Sequence, residues 1–379
     1  MKFLLASDSY KGSLSTLQVA EQIKKGVMKV FPDAEFICVP VADGGEGTVD
    51  TMVTNLGGEY RTVEVTAPDG RRIKAQYGLL KNKKVVIEMA AASGLPIVPK
   101  ENRNVMTATT YGTGEMIRAA LSEDCDQIYI GIGGSATNDG GVGMAQALGY
   151  SFRDINGCEV GFGGGELKKI VTIDASNVDK RLKDKQIVVM SDVTNPLCGK
   201  TGASAIYGPQ KGATPDQVKE LDEGLKHFAR LVKEQMGLDL LDMPGAGAAG
   251  GLGAGLVAFT GAKIKSGIET VLEVAGFKEK LDWADIVITG EGKIDSQSVL
   301  GKVISGISEM AKEKDVPVIA VSGAIDYGAE VIYEKGVSTM EAAVCKTMLL
   351  DEAVKNADIL VENAVERVMR AIKIGQKMI

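Results

Sequence analysis

Six segments of the chain carry residues able to bind phosphate or move a proton. Asp8-Ser9-Tyr10-Lys11-Gly12-Ser13 follows an apolar run near the N-terminus. Asp8 suits orienting a hydroxyl or holding a metal, Ser9 offers a hydroxyl, and Lys11 suits neutralising an anion. Asp43-Gly44-Gly45-Glu46-Gly47-Thr48 follows a second apolar run. Its glycines let backbone approach a ligand, and a helix start there supplies free N–H groups. Carboxylates beside phosphate require a divalent cation, which makes Asp43 a candidate metal ligand. The densest segment is Gly131-Ile132-Gly133-Gly134-Ser135-Ala136-Thr137-Asn138-Asp139-Gly140-Gly141. Successive N–H groups at Gly133, Gly134 and Gly140, with the Ser135 and Thr137 hydroxyls, suit phosphate oxygens. Asn138 and Asp139 suit hydrated Mg²⁺ or a substrate hydroxyl.

Ser191-Asp192-Val193-Thr194-Asn195 follows the apolar run QIVVM, with Lys211 downstream in GPQKG. Asp192 is a candidate base or metal ligand, Asn195 a candidate substrate contact and Lys211 a candidate phosphate clamp. Gly199-Lys200-Thr201 ends like a P-loop, but the glycine that motif needs five residues before the Gly-Lys pair is Thr194, so it is not one. Gly290-Glu291-Gly292-Lys293-Ile294-Asp295 adds two carboxylates, Glu291 and Asp295, as candidate metal ligands and Lys293 as a phosphate contact. The sixth, Gly245-Ala246-Gly247-Ala248-Ala249-Gly250, matches a dinucleotide fingerprint as text but follows LLDMP, a poor strand. Each segment also has a plain reading as a turn or helix cap.

This set holds Asp, Glu, Lys, Ser, Thr and Gly. The chain has one histidine, His227, inside an amphipathic helical pattern, and no paired cysteines among its five. Histidine triads and zinc sites are thereby disfavoured. Phosphoryl transfer asks for what is present: backbone and lysine for phosphates, carboxylates for Mg²⁺, and one carboxylate to orient an alcohol. Gly131, Gly133 and Ala136 also fit G-x-G-x-x-A, so a nicotinamide-dependent 2-hydroxy-acid dehydrogenase is the alternative enzyme. A small-molecule sensor using the same loops is the non-enzymatic one.

The elements that must position these residues read as α/β. The 379 residues predict two or three domains. KFLLASDS, EFICVPVAD, ADIVITGEG and VPVIAVSG read as buried strands alternating with helices, the signature of a parallel layer. Residues 58–88 read instead as three consecutive strands joined by short turns, and 351–373 as one long terminal helix. The simplest division is a discontinuous parallel α/β domain, 1–57 plus 280–379, with an inserted α+β domain, 58–279. Glycine makes up 47 residues, about one in eight against an average of ~7%. The 157–165 glycines read as a mobile surface loop. The net charge of −7 argues against nucleic acid as a partner. No signal peptide or membrane span is evident, so a cytoplasmic protein is expected. Oligomeric state is left open.

The segments DSYKGSLS, ADGGEGT, ATTYGTGEMI, GIGGSATNDGGVGM, SDVTNPLCG, GPQKGA, GAAGGLG and GEGKIDSQS occur in this order. Together they resemble the bacterial type I glycerate kinase family, from residue 7 to about 300. Tyr10 stands where the family pattern has Phe, and Lys293 where it has Arg. The resemblance implies transfer of the ATP γ-phosphate to D-glycerate with Mg²⁺, giving 2-phosphoglycerate in preference to 3-phosphoglycerate. It also implies two α/β domains, one Rossmann- or flavodoxin-like and one of restriction-enzyme-like character. Glycerate is then expected between domains, its carboxylate balanced by Lys11 or a neighbouring Lys or Arg. Asp192 or Asp8 orients or deprotonates the hydroxyl, the 133–141 loop and Lys211 hold phosphate, and Glu291, Asp295 or Asp43 help hold Mg²⁺.

Overall fold

The computed structural model describes residues 1–42, 44–296, 298 and 303–378. Two main sheets are built from eleven of the described strands. In chain order they are β1 (Lys2–Ser7), β2 (Glu35–Cys38), β3 (Gly58–Thr66), β4 (Arg72–Leu80), β5 (Lys84–Glu88), β6 (Gln127–Gly131), β7 (Gln186–Met190), β8 (Lys263–Lys265), β9 (Ile286–Gly290), β10 (Val318–Ser322) and β11 (Val337–Ala342). The chain forms two compact units, residues 1–43 with 268–379, and 44–267.

The first unit holds a five-stranded, all-parallel sheet in the order β11-β10-β9-β1-β2. Numbered within the unit this is 2-1-3-4-5, an order in which ligands bind at the carboxyl ends where the winding reverses. That point lies between β1 and β9. Both faces of the sheet are covered, which explains the unbroken apolar runs of its strands. Leu4, Ala6 and Val287 pack into one core, Phe3, Leu5 and Ile288 into another. Helix Thr16–Met28 begins with a capping box formed by Ser15 and Gln18. The C-terminal helix is interrupted: Leu350–Lys355 and Ala357–Gln376 are separate, with Asn356 at φ −110° and ψ 17°. The Glu352 carbonyl accepts there from both the Asn356 side-chain amide at 2.7 Å and the Asn356 backbone N–H at 3.1 Å.

The second unit holds a six-stranded mixed sheet, β8-β7-β6-β5-β4-β3. β5, β6, β7 and β8 run parallel; β3 and β4 are antiparallel hairpin strands, as the short turns required. Asn82 and Lys83 both take positive φ, 62° and 56°, in the second turn. Helix Thr48–Leu56 lies on this sheet, because Gly78 of β4 leaves room for Val53 and Val49. Residues 44–57 therefore belong with the second unit, while Ile268 and Leu272 join the core of the first. Both segments lie across the boundaries expected at 57 and 279.

The 157–165 glycines are packed rather than loose at their C-terminal end. A Cβ on Gly164 would stand 2.4 Å from Leu221 Cδ2 and 2.5 Å from the Asn138 carbonyl oxygen. Glycine there permits close approach of a 3₁₀ segment, Gly164–Lys169, to helix Pro215–Met236. Among the described residues no helix is long and apolar enough to cross a membrane.

Candidate active site

In the first unit the candidates collect at the β1/β9 reversal. Ser7 is paired in register with Gly290, so the loops after both strands start side by side. The Asp8 N–H donates to the Gly290 carbonyl at 2.9 Å. Asp8 is 8% exposed, and its Oδ1 accepts from the Ser9 N–H at 2.7 Å. Ser9 is half-buried and Lys11 exposed. Tyr10 is buried, and its hydroxyl donates to the Val321 carbonyl at 2.7 Å. Burial, with Glu291 nearby, drives the phenol far above its ordinary range, so Tyr10 is a fixed neutral donor.

Glu291, Asp295 and Ser298 form a small acidic bracket. Ser298 Oγ donates to Glu291 Oε1, and the Asp295 N–H donates to Ser298 Oγ at 3.2 Å. Lys293 pairs with Asp326 at 2.7 Å, an exposed contact that holds its amine above the usual lysine range. Ser7 Oγ and Thr289 Oγ1, at the same strand ends, are buried and have no hydrogen-bond partner among the described residues. Asp43 lies outside the described residues.

In the second unit one group gathers at the carboxyl ends of β6 and β7. Gly44 has φ 83°, and a Cβ on it would stand 2.9 Å from the Met190 carbonyl oxygen. A Cβ on Gly131 would stand 2.5 Å from the Gly44 carbonyl oxygen. Only glycine lets these two backbones meet, and half-buried Gly45 sits beside them. Gly133 is half-buried and Gly134 exposed, so they form the accessible tip of the 131–141 loop. Ser135 is tied to Gly94 by an antiparallel bridge. Asp192, just after β7, accepts at Oδ1 from Ser266 Oγ at 2.7 Å and from the Gly267 N–H at 2.9 Å.

The rest of that loop turns inward. Asp139 is 1% exposed and accepts from the Thr110 N–H (2.8 Å), Thr110 Oγ1 (2.9 Å), the Gly141 N–H (3.1 Å) and the Gly143 N–H (3.3 Å). Burial pushes its carboxyl up while these donors pull it down. Asn138 donates to Ser204 Oγ at 3.0 Å, and the Gly140 N–H to the Gly250 carbonyl at 3.1 Å. Lys211 is 1% exposed, and its ammonium donates to the Thr137 carbonyl at 2.7 Å. Desolvation lowers it to about 7, opposed by the Asp139 charge. The Thr137 hydroxyl is buried and has no hydrogen-bond partner among the described residues. Lys211 and Asp139, expected to meet phosphate and metal, here brace the loop. Asn195 links Thr201 and Tyr207, each at 2.8 Å. His227 bonds the Ile170 carbonyl at 2.7 Å, a structural contact.

One carboxylate at this edge escaped the sequence reading. Glu88 ends β5 and accepts from the Val49 N–H at 2.7 Å, at the start of helix Thr48–Leu56. Burial, with Asp50 and Glu46 nearby, raises it to about 6. Its signal was a glutamate closing the apolar run KVVIE.

Among the described residues no three His, Cys, Asp or Glu side chains form a ready metal cluster. The all-oxygen donors Asp8, Glu291 and Asp295 nevertheless fit a hard cation that keeps several waters and takes only one or two carboxylates. The 131–136 fit to a dinucleotide fingerprint opens no helix, since the next helical residue is Val142.

The family model of the glycerate kinase family matches residues 3–373. A glycerate kinase of Halalkalibacterium halodurans is 49% identical over 366 residues, covering 96% of both chains. A glycerate 2-kinase of Escherichia coli K12 is 47% identical over 378 residues, covering 100% of this chain and 99% of that one. The crystal structure of a Salmonella typhimurium LT2 protein described as glycerate kinase 2 superposes with a TM-score of 0.89 at 46% identity, covering 100% and 99%. With matches spanning both units and every loop described above, the chain belongs to the glycerate kinase family.

Proposed function

We propose that the chain phosphorylates D-glycerate with ATP, giving 2-phosphoglycerate in preference to 3-phosphoglycerate. The observation that carries this is the full-length match to proteins named glycerate kinase and glycerate 2-kinase. The glycine-lined strand ends with their carboxylates, and no histidine beside them, support the same chemistry.

In the reaction, a glycerate hydroxyl oxygen bonds to the γ-phosphorus as the bond from that phosphorus to the β,γ-bridging oxygen breaks. ADP leaves, and the hydroxyl proton passes to a carboxylate. Asp192 is our choice for that base, since Ser266 Oγ and the Gly267 N–H fix its orientation. Asp8 is the alternative at the other strand edge. Lys11, exposed beside Asp8, balances the glycerate carboxylate, and Ser9 adds a donor. Gly133, Gly134, Ser135, Gly44 and Gly45 offer backbone and hydroxyl donors to phosphate oxygens. Thr137, Asn138, Asp139, Gly140 and Lys211 act through the shape of that loop. Asp8, Glu291 and Asp295, with Asp43, are the residues to hold Mg²⁺. When bound, the ion would neutralise charge on the phosphate oxygens.

We read the two compact units as domains, the first Rossmann- or flavodoxin-like and the second an inserted, restriction-enzyme-like one, in a cytoplasmic enzyme. The 2-1-3-4-5 order and the mixed second sheet support the two-domain reading.

Phosphorus NMR of the product from D-glycerate and ATP·Mg tests the regiochemistry; a 3-phosphate ester would overturn it. Asp192→Asn is expected to lower kcat by about 10²-fold or more, with KM for ATP little changed. Near-normal turnover of that variant would remove Asp192 as the base.

A further inference from the structure

An open cleft of about 360 Å³ lies in the second unit, walled by Asp69, Asn102, Asn104, Thr107, Ala136 and Phe162 among others. That volume is in the range of small-molecule sites. Ala136 continues the loop whose accessible tip is Gly133–Gly134. The chain between Gly134 and Ala136 spans at most about 7 Å, so a ligand in the cleft can also reach the tip.

Charge decides what kind of ligand fits. Arg103 also lines the cleft, but its Nε, Nη1 and Nη2 donate to the carbonyls of Val98, Gln210 and Leu95 at 3.4, 3.2 and 3.5 Å. The Asp69 carboxylate at the wall pairs with Arg71 at 2.7 Å. With Asp69 paired to Arg71 and three Arg103 N–H groups spent on carbonyls, the lining offers few charged donors free to clamp a small anion. A neutral, flat, polar molecule suits the lining better. The Asn102 side chain makes no hydrogen bond among the described residues, so its amide offers one donor and one acceptor together. That pair is the one with which asparagine reads an adenine edge. Asn104 accepts from the Met106 N–H at 3.2 Å and keeps its amide N–H groups available. Phe162 is 41% exposed at the rim, its ring braced by Tyr111 at 5.1 Å. An exposed aromatic face there suits base stacking.

We propose that this cleft holds the purine base of the nucleotide, with Asn102 reading its edge, Phe162 covering its face and the phosphates running to Gly133–Ser135. This rests on the kinase reading above.

Asn102→Ala and Phe162→Ala, each in the intact enzyme, are expected to raise the Kd for ADP in calorimetric titration about tenfold, equivalent to about 1.4 kcal/mol. KM for ATP should rise in parallel, with KM for glycerate unchanged. Asn102→Asp should weaken ADP binding as well, because a carboxylate has no N–H to give the N7 acceptor of the adenine edge. Asn102 is exposed and its side chain bonds nothing among the described residues, so its variants test the cleft without a folding penalty. Unchanged ADP affinity in both alanine variants overturns the proposal. So does a rise in KM for glycerate alone, which would give the cleft to the acid. A wild-type enzyme that binds ADP yet leaves glycerate unphosphorylated would refute the kinase reading and leave the base site standing.

Discussion

Lys211 shows how much packing adds to what a residue's type says. A lysine in a glycine-rich loop reads as a phosphate clamp, yet its ammonium lies on the Thr137 carbonyl with 1% of the residue exposed. Nothing in GPQKGA marks that lysine as buried; only the packing of Pro209–Lys211 beneath the loop does. Its lowered value, about 7, has a consequence for stability. Below pH 7 the folded and unfolded chains both hold the proton. Between pH 7 and the ordinary lysine value of 10.5, only the unfolded chain does. The unfolded state binds more protons in that window, so this group makes stability rise with pH there. Lys211→Met removes the contribution. Urea unfolding from pH 7 to 9 should show wild type gaining on the variant, by at most about 1.4 kcal/mol per pH unit. Parallel profiles would show that Lys211 keeps its proton in the fold.

At the scale of elements, the segment between β6 and helix Val142–Ala147 owes its shape to one carboxylate. Asp139 gathers donors from Thr110, Gly141 and Gly143, and so ties the loop to the start of helix Tyr111–Ala120. Asp139→Ala leaves those buried donors unpaired, at a cost of roughly 3–5 kcal/mol. A urea midpoint equal to wild type would show that the loop holds its form by other means. The strands on either side were legible, because QIYIG and QIVVM are uninterrupted apolar runs. Residues 134–185 were not, because glycines there serve approach between backbones rather than any period. Likewise the clustering of Asp8 with Glu291 was announced by their places after apolar strands. The inward turn of Asp139 was not, since a buried carboxylate and a metal ligand look alike in sequence. The break at Asn356 was missed because its apolar spacing continues across it.

At the scale of the whole molecule, the first unit is assembled from both ends of the chain. Its sheet sets β1 and β2 beside β9, β10 and β11. The chain ends meet on that unit, where the Gln376 amide lies 3.3 Å from Met1 Sδ. A circular permutant that starts at Gly44, joins residue 378 to Met1 by a short linker and ends at residue 43 would make each unit contiguous. It should refold faster than wild type after dilution from denaturant, because contacts local in sequence form sooner. An equal or slower rate would mean that closing the first sheet does not limit folding.

The same connectivity matters while the chain is being made. β2 ends at Cys38 and β9 starts at Ile286, roughly 250 residues later. At ~5–20 residues per second, a ribosome takes about 12–50 s to cover that distance. For that interval the nascent β1 and β2 have no β9 to pair with, and the apolar strand KFLLAS has one edge open. The middle of the chain can fold meanwhile, so the open edge of the N-terminal strands is exposed to wrong pairing until their partners emerge.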